Sequence, residues 1–396
     1  MKRTLSYLFL LAIALMHSCT ESNTGRNIAT SSPEPANDLI VIKPGLSEEW
    51  PIDTDATHLF RNIRLVPLET KPECLIGRID RMQVYEERIF IQDGMSNALL
   101  TFDLNGKFLS KIGAVGHGPG EYVQIDYFHI DLDKNQIVIT DLMSYFVLRY
   151  DMNGTFIKKV KIPLWIEGIS PWTNGGYILY ANFRNNKKAL KQEHNILLCD
   201  SNMKIAKAYQ PYNSDNLGGA KFSQPRHGFF YAFKHQYYYY SEYSDTTFRV
   251  LPTGLSPAIV IDFGKEGFDE SYFKTPERLK AYVDGKSFMG LCNLMETDSL
   301  VIFNTYHPRY TGYYNKTTQS GVMSVIFYQF KENKKIQTPL SIPMAVYNND
   351  IINVILGNSD FQKDNAQIGL PEPFTDLVGK VALDDNPVLM FYTVEI

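Results

Sequence analysis

The sequence predicts an all-β chain: a six-bladed β-propeller with four-stranded antiparallel blades, the last blade closed by N- and C-terminal strands. Three observations predict it. A hairpin motif recurs four times at a spacing of about 48 to 50 residues. Each copy is preceded by further strand-like runs, so one period holds four strands, the content of a propeller blade. Aromatic residues make up 13% of the chain, with 25 Tyr and 24 Phe, a composition that favours strands.

The motif is clearest in its first two copies. Leu99-Leu100-Thr101-Phe102-Asp103-Leu104-Asn105-Gly106-Lys107-Phe108 returns as Val147-Leu148-Arg149-Tyr150-Asp151-Met152-Asn153-Gly154-Thr155-Phe156. Asn-Gly between two apolar runs is a hairpin signal, because both residues tolerate positive φ. The third copy, Leu197 to Ile205, has lost the glycine; the fourth is Phe248 to Gly254. Ahead of the copies lie apolar runs such as Arg88–Asp93, Gln136–Asp141, Gly176–Ala181, Gln236–Tyr240 and Leu300–Asn304. Blades are expected near 76–115, 123–165, 166–210, 226–265 and 285–340, and from 342 to the C-terminus. The last would borrow Ile63–Leu68 from the N-terminal end, and a sheet closed in a circle has no exposed edge. Asp269 to Val283 reads as a helical insertion lying over one face.

The chain's first residues predict export. Lys2-Arg3 precede an apolar run, Leu5–Met16, too short to cross a bilayer as a helix but suited to a secretory signal. Ser18-Cys19 at its end resembles a lipobox, in which Cys19 is acylated; the alternative is an ordinary signal peptide cleaved nearby. Thr20–Asp38 is small and polar and reads as a tether. The expected organisation is a lipoprotein signal peptide at 1–18, lipidated Cys19 and tether at 19–38, and the propeller at 39–396, exported and anchored to a bacterial membrane by its lipid alone. With 39 Lys and Arg against 43 Asp and Glu, the net charge of −4 argues against a nucleic-acid partner. Cys74, Cys199 and Cys292 form no disulfide framework and no metal-ligand spacing, and read as apolar thiols.

Between the first two hairpins lies Ile112-Gly113-Ala114-Val115-Gly116-His117-Gly118-Pro119-Gly120-Glu121-Tyr122. With Phe102–Phe108 it resembles an NHL-type repeat. The wider layout resembles the six-bladed β-propeller lipoproteins of Bacteroidetes. The lipobox carries that likeness, with Val66-Pro67-Leu68-Glu69, Ile76-Gly77-Arg78-Ile79, Asp262-Phe263-Gly264, Asn349-Asp350 and Asp385-Asn386-Pro387-Val388-Leu389. The resemblance implies the fold and carries no common activity.

Chemical motifs are scarce. The glycine run lacks the Gly-Lys-Ser/Thr end of a phosphate-binding loop and reads as a blade crossing. Asp131-Leu132-Asp133-Lys134-Asn135 opens like a calcium loop but has Gln136 where glycine is needed and Leu142 where glutamate is needed. The histidines recur at no fixed blade position, and no HExxH or GxSxG motif occurs. Asp93 and Asp141 do recur, each closing the second strand of its blade; they read as turn-forming residues or as part of a carboxylate ring at one end of the channel. The loops after the second strands are the better pointer, because long loops on a rigid scaffold hold binding groups. Two read as long: Asn182 to His194, and Tyr306 through Tyr313-Tyr314 to Gln319. Arg184, His307, Arg309 and Tyr310 are the candidate ligand-binding residues, combining planar donors with aromatic faces. The expected function is a membrane-tethered module binding a glycan, a peptide or a partner protein in the cell envelope, with no cofactor, no resident metal and no catalytic residue assigned. The alternative is a metal-dependent hydrolase or lyase, lactonase-like, at the channel mouth.

Overall fold

In a computed structural model, residues 28–34, 38–44, 50–53, 56–223, 228–306, 308–325, 328–331, 334–337, 342–355 and 384–396 are described. Cys19 and His307 lie outside the described residues. Six antiparallel sheets stand around a central channel. Blade 1 comprises Ile79–Tyr85, Arg88–Asp93, Ala98–Asp103 and Phe108–Ile112, in that order from the channel outward. Blade 2 comprises Tyr127–Asp131, Gln136–Asp141, Phe146–Asp151 and Phe156–Lys161; blade 3, Gly168–Trp172, Gly176–Tyr180, Glu193–Cys199 and Ile205–Tyr212. Blade 4 has Phe230–Phe233, Gln236–Tyr239, Thr246–Leu251 and Gly254–Ile261, and blade 5 has Leu291–Glu296, Leu300–Thr305, Tyr310–Asn315 and Gly321–Val325. Blade 6 is built as expected from both chain ends: Ala345–Tyr347, Asp350–Ile355, Val388–Val394 and, outermost, Phe60–Pro67.

The N-terminal chain does more than close the ring. Ile40–Ile42 adds a parallel fifth strand to the outer edge of blade 4, and Ile52–Asp53 does the same on blade 5. Residues 28–34, within the stretch read as a tether, follow the same course: Thr30 bridges Ala208 on the rim of blade 3, and the Ser31 amide donates to the Ala208 carbonyl at 2.7 Å. The described parts of this N-terminal stretch thus pair with the outer edges of blades 3, 4 and 5 before Phe60–Pro67 joins blade 6.

Each wedge between neighbouring blades holds its own apolar core. Phe90, Leu99, Ile112, Phe128, Ile137 and Leu148 fill the wedge of blades 1 and 2. Met82, Ile91, Leu100, Ile352, Leu389 and Phe391 fill that of blades 6 and 1. This explains the continuous apolar runs: a blade's strands are buried on both faces.

The recurrent hairpins differ from the sequence expectation in one respect. Gly106 and Gly154 take positive φ, but Asn105 and Asn153 do not, so the turn is a three-residue loop with a bulge rather than a two-residue mirror-image turn. The ladder shifts register at Thr101/Phe102 and at Arg149/Tyr150. The preceding aspartate fixes the loop: one Asp103 oxygen accepts from the Asn105 and Lys107 amides, both at 2.9 Å, and Asp151 and Asp200 repeat the arrangement. In the third copy Met203 stands at φ +63° where the others have glycine. The Asp131 turn likewise belongs to the fold. One carboxylate oxygen takes the Asp133 and Lys134 amides, and the other pairs with Arg149.

Candidate functional site

Strand direction sorts the loops onto two faces. One face carries the tight hairpins; the other carries the blade crossings and the turns after each second strand. On that second face, blades 1 and 2 are plain. Asp93 accepts from the backbone amides of Gly77, Arg78, Met95 and Ser96 and from the Ser96 hydroxyl. Asp141 holds Val123 and Ser144 in the same way. These aspartates tie each short turn to the incoming crossing. Their carboxylates are consumed by backbone donors, so the turn-forming reading describes them and the carboxylate-ring reading does not. The glycine run is a crossing too, with Gly118 donating to Glu121 at 2.8 Å.

Blades 3 and 4 are different. The loop after Tyr180 runs to Gln192, and a helix, Pro276–Asp284, follows blade 4. Over the wedge between these blades sits a separate aromatic cluster of Phe183, Phe222, Tyr243, Phe268, Phe273 and Phe288. Phe183 stacks on Phe222 at 4.3 Å and meets Phe273 at 5.2 Å and Tyr212 at 5.4 Å. Beside it opens a cavity of about 410 Å³. Its aromatic walls are Tyr180, Phe183, Tyr212, Tyr239, Tyr243 and Phe273, and its polar groups include Asn195, Gln210, Asn213, Asn216, Ser241 and Glu270.

Two lining residues have left-handed backbones, Phe183 at φ +61° and Gln210 at φ +56°. Neither is a residue type suited to that region, and each costs on the order of 1–3 kcal/mol. The surroundings hold Phe183 there. The Asn195 side-chain oxygen accepts from its amide at 2.8 Å, while Asn182, itself at φ +48°, is fixed by Tyr180 and by the Ser223 carbonyl. Burial pushes the phenols of Tyr180, Tyr212 and Tyr243 up, so they remain neutral hydrogen-bonding groups at physiological pH.

Of the sequence-derived candidates, neither Arg184 nor Arg309 nor Tyr310 lines this cavity. Arg184 follows Phe183 directly, but its guanidinium pairs with the buried Glu167 and lies 5.0 Å from the Trp165 ring; its carbonyl accepts from the Tyr212 hydroxyl. Arg309 is exposed on blade 5. Tyr310 begins the third strand of that blade and packs against the core between blades 4 and 5. The loop expected from Tyr306 to Gln319 is therefore much shorter: Tyr310–Asn315 is a strand, and Tyr313 and Tyr314 are buried in it. Three tyrosines and a threonine among six residues favour a strand and outweigh the polar look of the stretch. Among the described residues, no three His, Cys, Asp or Glu side chains converge as metal ligands. Cys74, Cys199 and Cys292 are in no disulfide.

The family described as a domain of unknown function (DUF4934) matches residues 39–393. The chain belongs to this family. No curated protein matches the chain. Two solved structures share the fold of this DUF4934 protein. One is a candidate exported protein of Bacteroides fragilis, 19% identical, with a TM-score of 0.72 over 90% of this chain and 100% of that one. The other, from the DUF4221 family of Bacteroides vulgatus, is 10% identical, with a TM-score of 0.52 over 85% of this chain and 97% of that one. The expected six-bladed propeller family, one without an established activity, is the family found.

Proposed function

We propose that this DUF4934 protein is an exported, lipid-anchored binding module that holds a glycan in the cavity between blades 3 and 4. The observation that carries the reading is the cavity's make-up. Aromatic rings line it beside side-chain amides, and two of its residues, Phe183 and Gln210, are held in costly left-handed backbone conformations. Strain of this kind clusters at ligand sites. Aromatic faces with polar tips suit the apolar and hydroxylated sides of a sugar ring, and amides supply both donors and acceptors. Export is supported by the basic and apolar leader before Cys19, and by the description of the B. fragilis neighbour. Among the described residues no helix is long and apolar enough to cross a membrane, which suits attachment through Cys19.

A glycan array probed with the mature chain is the test. Asn216 and Glu270 are exposed lining residues, so Asn216→Ala and Glu270→Gln are expected to cut the affinity for the bound glycan about tenfold, roughly 1.4 kcal/mol each, at an unchanged melting temperature. An array on which nothing binds, or a bound glycan indifferent to both changes, overturns the reading. The anchor has its own check: Cys19→Ser should move the protein from the membrane to the soluble fraction.

A protein partner is the second reading, and one observation favours it. Leu75, Met95, Val115, Met143 and Trp165 are each exposed, Met95 by 71% and Met143 by 68%, on the crossings and turns of the same face. Large apolar groups gathered on one face mark interaction surfaces.

A further inference from the structure

The central channel holds a buried cation that pairs with no carboxylate among the described residues. Arg81, in the innermost strand of blade 1, is 5% exposed. Its Nε and Nη2 have no hydrogen-bond partner. Among the described residues no carboxylate forms an ion pair with it; the ionisable groups that face it are the phenols of Tyr127, whose ring centre is 4.9 Å from Cζ, and of Tyr240. The side chain reaches across the channel toward blade 4. A Cβ on Gly228, at φ +80°, would stand 2.2 Å from Nη2, so the backbone there makes room for the guanidinium. A buried guanidinium with two unbonded nitrogens and no paired carboxylate is a costly arrangement. The Tyr127 ring offers it a cation–π contact but no hydrogen-bond acceptor for Nε or Nη2.

Around Arg81 is a cavity of about 320 Å³ lined by the innermost strands of all six blades. It extends from Arg81 toward the hairpin face, where Lys234 and His235 stand at its rim; Lys234 is paired with Asp298. Ser170 also lines the cavity, and its buried hydroxyl has no partner. His129 is buried against Phe230, ring centres 6.3 Å apart. Burial and the neighbouring Arg81 push its pKa well below the usual imidazole value, so it is neutral and Arg81 alone supplies the charge. Met82, Val84, Phe230, Met295 and Ala345 make about half of the wall apolar, facing polar groups such as Gln83 and Asn293.

We propose that the channel binds a small organic monocarboxylate, its carboxylate on Arg81 and Ser170 and its hydrocarbon part along the apolar wall. Guanidinium recognises carboxylate through paired, parallel hydrogen bonds, and the orphaned serine hydroxyl can donate a further one. The carboxylate cancels the unpaired charge, and the walls favour a short hydrocarbon tail over water.

The test is calorimetric titration of the full chain in detergent with sodium acetate, butyrate and hexanoate, and with sulfate and chloride, at constant ionic strength. Affinity is expected to rise about threefold to fourfold per added methylene, with hexanoate bound well above either inorganic ion. Arg81→Met should lower hexanoate affinity at least a hundredfold while keeping the melting temperature of the unliganded protein or raising it. If that variant does not fold, Ser170→Ala, which removes one donor, should weaken hexanoate several-fold. The proposal is overturned if no carboxylate binds saturably, if chloride or sulfate binds as tightly as hexanoate, or if the folded variants bind as the wild type does. Glycan binding between blades 3 and 4 is expected to be indifferent to Arg81→Met, so the two sites stand or fall separately.

Discussion

Two arginines are buried inside this ring, and they are opposites. Arg149, 1% exposed between blades 2 and 3, is fully engaged. It bonds Asp131 at 2.5 Å, the Tyr177 hydroxyl at 2.8 Å and the Gly175 carbonyl at 2.9 Å. Arg81 in the channel has a comparable degree of burial, yet its Nε and Nη2 have no hydrogen-bond partner. The difference separates a residue that serves the fold from one that serves a ligand. Burial alone does not distinguish them; the inventory of partners does.

The comparison breaks most sharply at Asp131. Asp131→Ala strands Arg149 without its carboxylate and is expected to cost about 3–5 kcal/mol, read as a fall in the urea midpoint. Arg81→Met should have the opposite sign in unliganded protein, because it removes a charge that nothing offsets. If both variants lose stability equally, Arg81 is as structural as Arg149, and the contrast between them fails.

The same contrast runs through the blades. In blades 1 and 2 the short turns are stapled by Asp93 and Asp141, and each staple has a serine three residues on, Ser96 and Ser144. Asp141→Ala leaves three donors without an acceptor and should lower stability by about 2–3 kcal/mol. Glu270→Gln, on the exposed rim of the cavity between blades 3 and 4, should stay within about 0.5 kcal/mol of wild type. A thermal melt of both variants checks this. If the rim change costs as much as the staple, the division between scaffold and site is wrong.

What was legible follows from this division. The hairpin repeat, the blade order and the sharing of blade 6 by both chain ends all rest on local signals, namely turn residues and apolar runs, and each is visible in a short window of sequence. The site depends on distant pairings. Phe183 and Gln210 carry no mark of a left-handed backbone, since neither type prefers it; only Asn195, twelve residues beyond Phe183, holds it there. Arg184 drew attention for its charge, yet its neighbour Phe183 is the residue that lines the cavity. Arg81 and Arg149 look alike in sequence because their partners come from other strands and other blades. Gly312 lies in the stretch from Tyr306 to Gln319 that reads as a loop. In the folded chain it is a strand position where a Cβ would stand 2.1 Å from the Phe303 ring.

A pH-dependent effect smaller than that of either scaffold variant tests the border between the two halves, where the crossing into blade 2 meets the start of blade 3. Burial pushes the Asp126 carboxyl up to about 6, with Asp141 and Glu167 nearby adding to the rise and the Leu142 amide opposing it. Glu167 is itself paired with Arg184, and Gln124 donates to Asp126 at 3.2 Å. The folded pKa lies above the unfolded value of about 3.9. Between about pH 4 and 6 the unfolded chain therefore loses this proton while the folded chain keeps it, and stability falls as pH rises through that window. Below it both states are protonated; above it the loss is complete and constant. Asp126→Asn keeps an acceptor for the Leu142 amide and removes the titration. Its stability relative to wild type should climb from pH 4 to pH 6 by on the order of 1–2 kcal/mol and then level off. Urea midpoints across that range decide it: parallel curves for the two proteins would mean that Asp126 is solvated like a surface carboxylate, and that the seam between scaffold and site is open to water.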